Sequence, residues 1–93
     1  MDRAYLDYNA SAALRLEARQ AMVQAMDCVG NPSSVHAEGR ASKAILERAR
    51  DQIAQALGAQ GADIIFTSGA TEAAGLALRG RALHCADVEH EAV

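Results

Sequence analysis

Between residues 14 and 29 the apolar side chains Leu14, Ala18, Met22, Met26 and Val29 recur at steps of four and three, with Arg15, Arg19, Gln20 and Gln24 elsewhere around the wheel. That period predicts a helix with a narrow apolar stripe. Gly30-Asn31-Pro32-Ser33-Ser34 breaks it, because glycine ends helices and the residue before proline is pushed out of the αR region. Ser33 or Ser34 is then a candidate N-cap. A second helix is predicted over 35–57, where Ala41, Ile45, Ala49, Ile53 and Leu57 repeat every four residues before Gly58, a favourable C′ residue.

The rest of the pattern is shorter. Residues 4–6 form a β-like piece, and Asp7-Tyr8-Asn9-Ala10-Ser11 has the side chains of a loop shaped by local hydrogen bonds. Residues 63–67 predict a strand that breaks at Ser68-Gly69 and restarts as an Ala/Leu-rich helix over about 70–79. Gly75 weakens that helix by about 1 kcal/mol against alanine, a cost usually met where another backbone comes close. Residues 82–88 read as a second strand. Helix, strand, helix, strand predicts an α/β class, helix-rich with a short parallel strand pair.

With 93 residues the chain suits one small domain that buries a modest share of its surface, so a partner surface is expected. Hydrophobic residues are 51% of the chain, yet there is no Trp, one Phe and two Tyr, so the core must come from Ala, Leu, Ile, Val and Met. The net charge of −3, with both signs interspersed, supplies no footprint for nucleic acid and no polybasic membrane patch. Small molecules or proteins are the expected partners. Cys28 and Cys85 make neither a CxxC pair nor a metal cluster, which fits a reducing compartment. No leader pattern opens the chain and no apolar run reaches the roughly 18 residues of a membrane span, so a cytoplasmic location is expected. Residues 88–93 carry no turn signal or polar tail, as if the sequence continued beyond them.

The strand-to-helix junction is the leading candidate for chemistry. The first amides of a helix lack intrahelical partners and sit at the positive end of its dipole, so Ala70 and Thr71 can hold an anion, a phosphate above all. Gly69 would permit a tight turn there, and the hydroxyl of Thr71 or Ser68 could add a hydrogen bond. A plain capping turn is the alternative. The histidines, His36, His84 and His90, show no i, i+4 pair, and no metal site is expected. His36 reads as a solvated or capping residue at a helix start, while Glu89 beside His90 can hold the ring or raise its pKa. Lys43, the one lysine, falls in line with His36, Arg40, Glu47 and Arg50 on a solvated helix face rather than in the dry pocket a Schiff-base lysine needs. Cys28 suits core packing better than nucleophilic attack, and Cys85, next to His84, is only a slightly better nucleophile.

Four segments occur in one order: Tyr5-Leu6-Asp7-Tyr8-Asn9-Ala10-Ser11, Gly30-Asn31-Pro32-Ser33-Ser34-Val35-His36, Ile64-Ile65-Phe66-Thr67-Ser68-Gly69-Ala70-Thr71-Glu72 and Glu89-His90-Glu91-Ala92-Val93. That series closely resembles the N-terminal part of cysteine desulfurases, in the class V aminotransferase family of fold-type I pyridoxal-phosphate enzymes. The resemblance covers nearly the whole chain. It implies an incomplete fold-type I transferase fold, with residues 1–34 belonging to a small-domain-like segment and residues 35–93 opening the large cofactor-binding domain.

The resemblance further implies pyridoxal 5′-phosphate as cofactor and L-cysteine as substrate, with sulfur passed on as a persulfide and alanine released. Ala70, through its backbone, and Thr71 would bind the cofactor phosphate. His90 would stack on the pyridine ring and assist proton transfer. Asn9, Ala10, Ser11, Asn31 and His36 would lie near the active site and dimer interface. Sulfur-acceptor proteins, iron–sulfur cluster assembly and a homodimer follow from the same resemblance. The cofactor-holding lysine, the acid at the pyridine nitrogen, the substrate-gripping arginine and the sulfur-accepting cysteine belong to later parts of the family. Neither Lys43 nor either cysteine occupies those positions, so this chain alone is expected to be inactive. Gly75 stands where the family usually has Asn, and the link over 79–83 is shorter than usual. An aminotransferase or selenocysteine lyase is the near alternative, and a non-enzymatic module that self-associates through its two amphipathic helices is the distant one.

Overall fold

The structure, a computed structural model, describes residues 2–93, which form three helices: α1 (Leu16–Met26), α2 (Ala37–Ala56) and α3 (Ala70–Leu78). They fall into two compact units, one ending at Gln60 and one over Gly61–Val93.

In the first unit, α1 is shorter at both ends than the apolar repeat suggests. Arg15 is extended at its N-cap, and Asp27 closes it well before Gly30. The elbow that follows is built from small residues. Asn31 accepts the Ser34 N–H on its carbonyl at 2.9 Å and the Ser33 N–H on its side-chain oxygen at 2.9 Å, with Pro32 in the second turn position that its fixed φ suits. Ser34 Oγ then accepts the N–H of His36 at 3.3 Å, so the serine supports the approach to α2 while His36 itself is the N-cap.

The elbow lies directly on the first turns of α2. A Cβ on Gly39 would stand 2.6 Å from the carbonyl oxygens of both Asn31 and Ser34, and one on Gly30 would overlap the Glu38 carbonyl. Cys28 Sγ meets Ser42 Oγ at 3.5 Å, so this thiol packs in the elbow, as expected. At the far end of α2 the N–H of Gly58 reaches Gln55 O at 3.2 Å and the N–H of Ala59 reaches Ala54 O at 2.8 Å. With Gly58 at φ +64°, this is the Schellman closure expected of that glycine.

The buried side of α2 is rotated from the predicted stripe. Ile45 and Ala49 are half-buried and Ala54 is buried, but Ala41 and Leu57 face solvent. The loop at 7–11 forms as expected: Asp7 Oδ1 accepts the Ala10 N–H at 3.3 Å, and Tyr5 packs edge-on against Tyr8 at 5.8 Å.

The predicted short parallel strand pair is not present, and neither is the piece at 4–6: among the described residues no strand is formed. Residues 63–67 lead into Ser68-Gly69 without a ladder, and residues 82–88 stay exposed, Val88 at 90%. Parallel pairs are stable when both faces are covered and further strands flank them, and 33 residues over Gly61–Val93 provide no such cover. The close backbone contact expected at Gly75 is also missing, since a Cβ there would meet nothing within 4 Å.

Candidate functional site

α3 starts at Ala70, directly after the Ser-Gly break that the sequence predicts. Gly69, its N-cap, has φ 170° and ψ −177°, an extended conformation open to any residue, so the turn does not need glycine for a positive φ. No side chain caps the helix, and the Ala73 N–H returns to Gly69 O at 3.1 Å. The amides of Ala70 and Thr71 therefore stand at the positive end of α3 with open space around Gly69. Those features fit a phosphate oxygen, which accepts from such amides.

The turn itself is fastened from inside the helix. Glu72 Oε2 accepts the Ser68 N–H at 2.8 Å and the Ser68 hydroxyl at 2.6 Å, while Thr67 Oγ1 donates to Gly69 O at 3.0 Å. The hydroxyl bond first and the amide bond second hold the Glu72 carboxyl below the ordinary glutamate range. Sequence reasoning offers Ser68 as a donor to the anion, but the structure commits that hydroxyl to Glu72. Glu72 was missed as a fastening residue, although its place three residues after the N-cap is the acidic half of a capping box.

His90 lies in the same unit, exposed, with Nδ1 accepting the Ala92 N–H at 3.1 Å. That bond leaves the proton of the neutral ring on Nε2. It is local to the 90–92 turn, and among the described residues no hydrogen bond or ion pair joins His90 to the Ser68–Glu72 turn. In the first unit, Asn31 and Ser34 shape the elbow, His36 is an exposed N-cap, and Asn9, Ala10 and Ser11 belong to an exposed turn. Lys43 is exposed, as expected of a solvated face, although Arg50 on the same face is half-buried and pairs with Glu47 at 3.5 Å. Cys85 is exposed and unbridged. Among the described residues no group of three or more His, Cys, Asp or Glu could hold a metal, and no helix is long and apolar enough to cross a membrane.

A serine–glycine–alanine–threonine turn feeding a helix is common. Its setting in this chain is not. The chain belongs to the class V aminotransferase family, whose model matches residues 4–93. It is similar to the cysteine desulfurase IscS of Dictyoglomus turgidum, 42% identical over 99 residues, covering 96% of this chain and 25% of that protein. A putative cysteine desulfurase IscS 1 of Bacillus subtilis is 41% identical over 103 residues, covering 100% of this chain and 27% of its own length. The selenocysteine lyase of Bos taurus is 42% identical over 83 residues, covering 88% of this chain and 19% of the lyase. The chain thus spans about a quarter of the desulfurases it matches and less of the lyase. No solved structure matches it. The Bacillus match spreads 93 residues over 103 aligned positions, so this chain is about ten residues shorter across that stretch. Membership of the family implies a fold-type I architecture, of which the described residues show three helices.

Proposed function

We propose that this chain is the N-terminal portion of a cysteine-desulfurase-like, pyridoxal-phosphate-dependent enzyme and supplies part of its cofactor site. The observation that carries the reading is the uncapped start of α3 at Ala70 and Thr71, in a chain whose relatives include cysteine desulfurases. When bound, the cofactor supplies an electron sink for bond cleavage next to the substrate amine. The chain's own part is to bind and orient it. The Ala70 and Thr71 amides and the Thr71 hydroxyl would hold the phosphate, and Glu72 would keep the turn set by engaging Ser68. His90 would lie against the ring and hold or pass a proton at Nε2.

The shorter link over 79–83 is compatible with that placement. α3 has nine residues, so the chain must return about 13.5 Å to regain the helix start. The eleven residues from Gly80 to His90 reach up to about 36 Å when extended. L-cysteine is the substrate on this reading, and a selenocysteine lyase or class V aminotransferase is the second reading, since the bovine selenocysteine lyase matches at the same 42% identity as the Dictyoglomus desulfurase. Sulfur-acceptor proteins, cluster assembly, a homodimer and a cytoplasmic setting belong to the assembled enzyme on this reading, as does the division at residues 34 and 35.

By the family resemblance the cofactor-holding lysine and the sulfur-accepting cysteine belong to later parts of the fold, and on this reading the chain by itself is inactive. Purified chain incubated with pyridoxal phosphate and L-cysteine should release no alanine above the protein-free rate. Sustained release would overturn the proposal.

A further inference from the structure

The clasp that fastens the α3 turn also sets a negative charge beside the amides of Ala70 and Thr71. Glu72 is the third residue of α3, and its Oε2 lies 2.8 Å from the Ser68 nitrogen and 2.6 Å from the Ser68 hydroxyl. Ser68 stands two residues before Ala70, so the carboxylate is within about 10 Å of the Ala70 amide. The two Ser68 bonds, the hydroxyl's first, hold the Glu72 pKa down, and no cation shares in that. Its charge is therefore not neutralised by a basic side chain. An acid in the first turn also draws on the same positive helix end that would hold a phosphate.

We propose that Glu72 sets the charge preference of the α3 head, acting as the helix's own anion and penalising an incoming one in proportion to its charge, an inference that rests on reading Ala70 and Thr71 as a phosphate site. Two unit charges about 10 Å apart in water change an affinity about twofold, so a doubly charged phosphate ester loses about fourfold where a singly charged sulfate ester loses about twofold. Affinity is given up for a turn that Glu72 itself holds in shape.

The test compares phenyl phosphate, doubly charged at about pH 8, with phenyl sulfate, singly charged, by amide NMR titration of the 93-residue chain. Glu72→Gln keeps an oxygen acceptor for Ser68 and removes the charge. At about 10 mM salt it should tighten the phosphate about fourfold and the sulfate about twofold, and both gains should vanish near about 1 M salt, where the Debye length is about 3 Å. A purely structural role would weaken both esters alike at either salt. A second measurement needs no variant: followed by carbon-13 NMR in the unmutated chain, the Glu72 carboxyl should titrate at higher pH with phenyl sulfate bound than without it, because coupling between two sites is reciprocal. Saturable binding that leaves this titration unmoved overturns the inference, as do gains that are equal for the two esters or persist at high salt. No saturable binding of either ester to the chain or to its variant overturns the phosphate-site reading as well.

Discussion

The elbow between α1 and α2 and the turn at the head of α3 are both tight, and they are tightened by opposite means. At the elbow, two glycines let backbone meet backbone: a Cβ on Gly39 would stand 2.6 Å from two carbonyl oxygens. Steric fit of that kind is indifferent to pH and intolerant of a methyl group. At the α3 turn, nothing crowds Gly69, and one carboxylate holds Ser68 through two hydrogen bonds. Such a clasp tolerates added volume but depends on charge. The first region is suited to a scaffold and the second to an anion site, where open space and free amides matter more than packing.

The largest effect expected is at the elbow. Gly39→Ala should destabilise the first unit by about 1–3 kcal/mol through overpacking, despite alanine's better helix propensity, and lower the midpoint of helix melting by circular dichroism. An unchanged or raised midpoint would remove the steric half of the contrast. Ala70→Pro comes next. It deletes one amide at N1, a position where proline is well tolerated, and should weaken phosphate-ester binding about tenfold, near 1.4 kcal/mol, with helicity retained. Titration calorimetry on the chain and its variant reads this directly. Gly75→Ala has open space around it and should stabilise α3 by about 1 kcal/mol, seen as greater helical ellipticity.

The smallest effect separates the two regions by pH. Glu72 has a lowered pKa in the folded turn, so its contribution is complete above the ordinary glutamate range and is lost as pH falls through the lowered value. The Ser68 amide resonance should shift across that acidic window and stop doing so in Glu72→Gln, while the Gly39 resonance stays still in both. Equal titration of the two amides would erase the distinction.

Much of this was legible in the residues because it is local. Gly58 announces the end of α2, Asp7 the loop beside it, and Ser68-Gly69 the start of α3, each through chemistry contained in a few neighbouring positions. The buried side of α2 was read less well, since the repeat of Ala41 and Leu57 says nothing about which side the elbow covers. The Gly39 contact was invisible because it pairs a helix glycine with carbonyls from a loop several residues earlier. The strands at 63–67 and 82–88 were read from β-branched and apolar runs, but such runs become a ladder only when flanking strands and helices cover them. At the candidate site the Ala-Thr start was legible and the Ser68–Glu72 bond was not, because spacing does not tell which acceptor a hydroxyl will choose.

The central claim is that the α3 head binds a phosphate ester through Ala70 and Thr71. An amide NMR titration of the purified chain with pyridoxine 5′-phosphate, which cannot form an imine with Lys43, tests it most directly. Saturable shifts confined to Ala70, Thr71 and their neighbours, absent with unphosphorylated pyridoxine, are the predicted result. Unmoved amides at those two positions, or equal movement with both compounds, would contradict it.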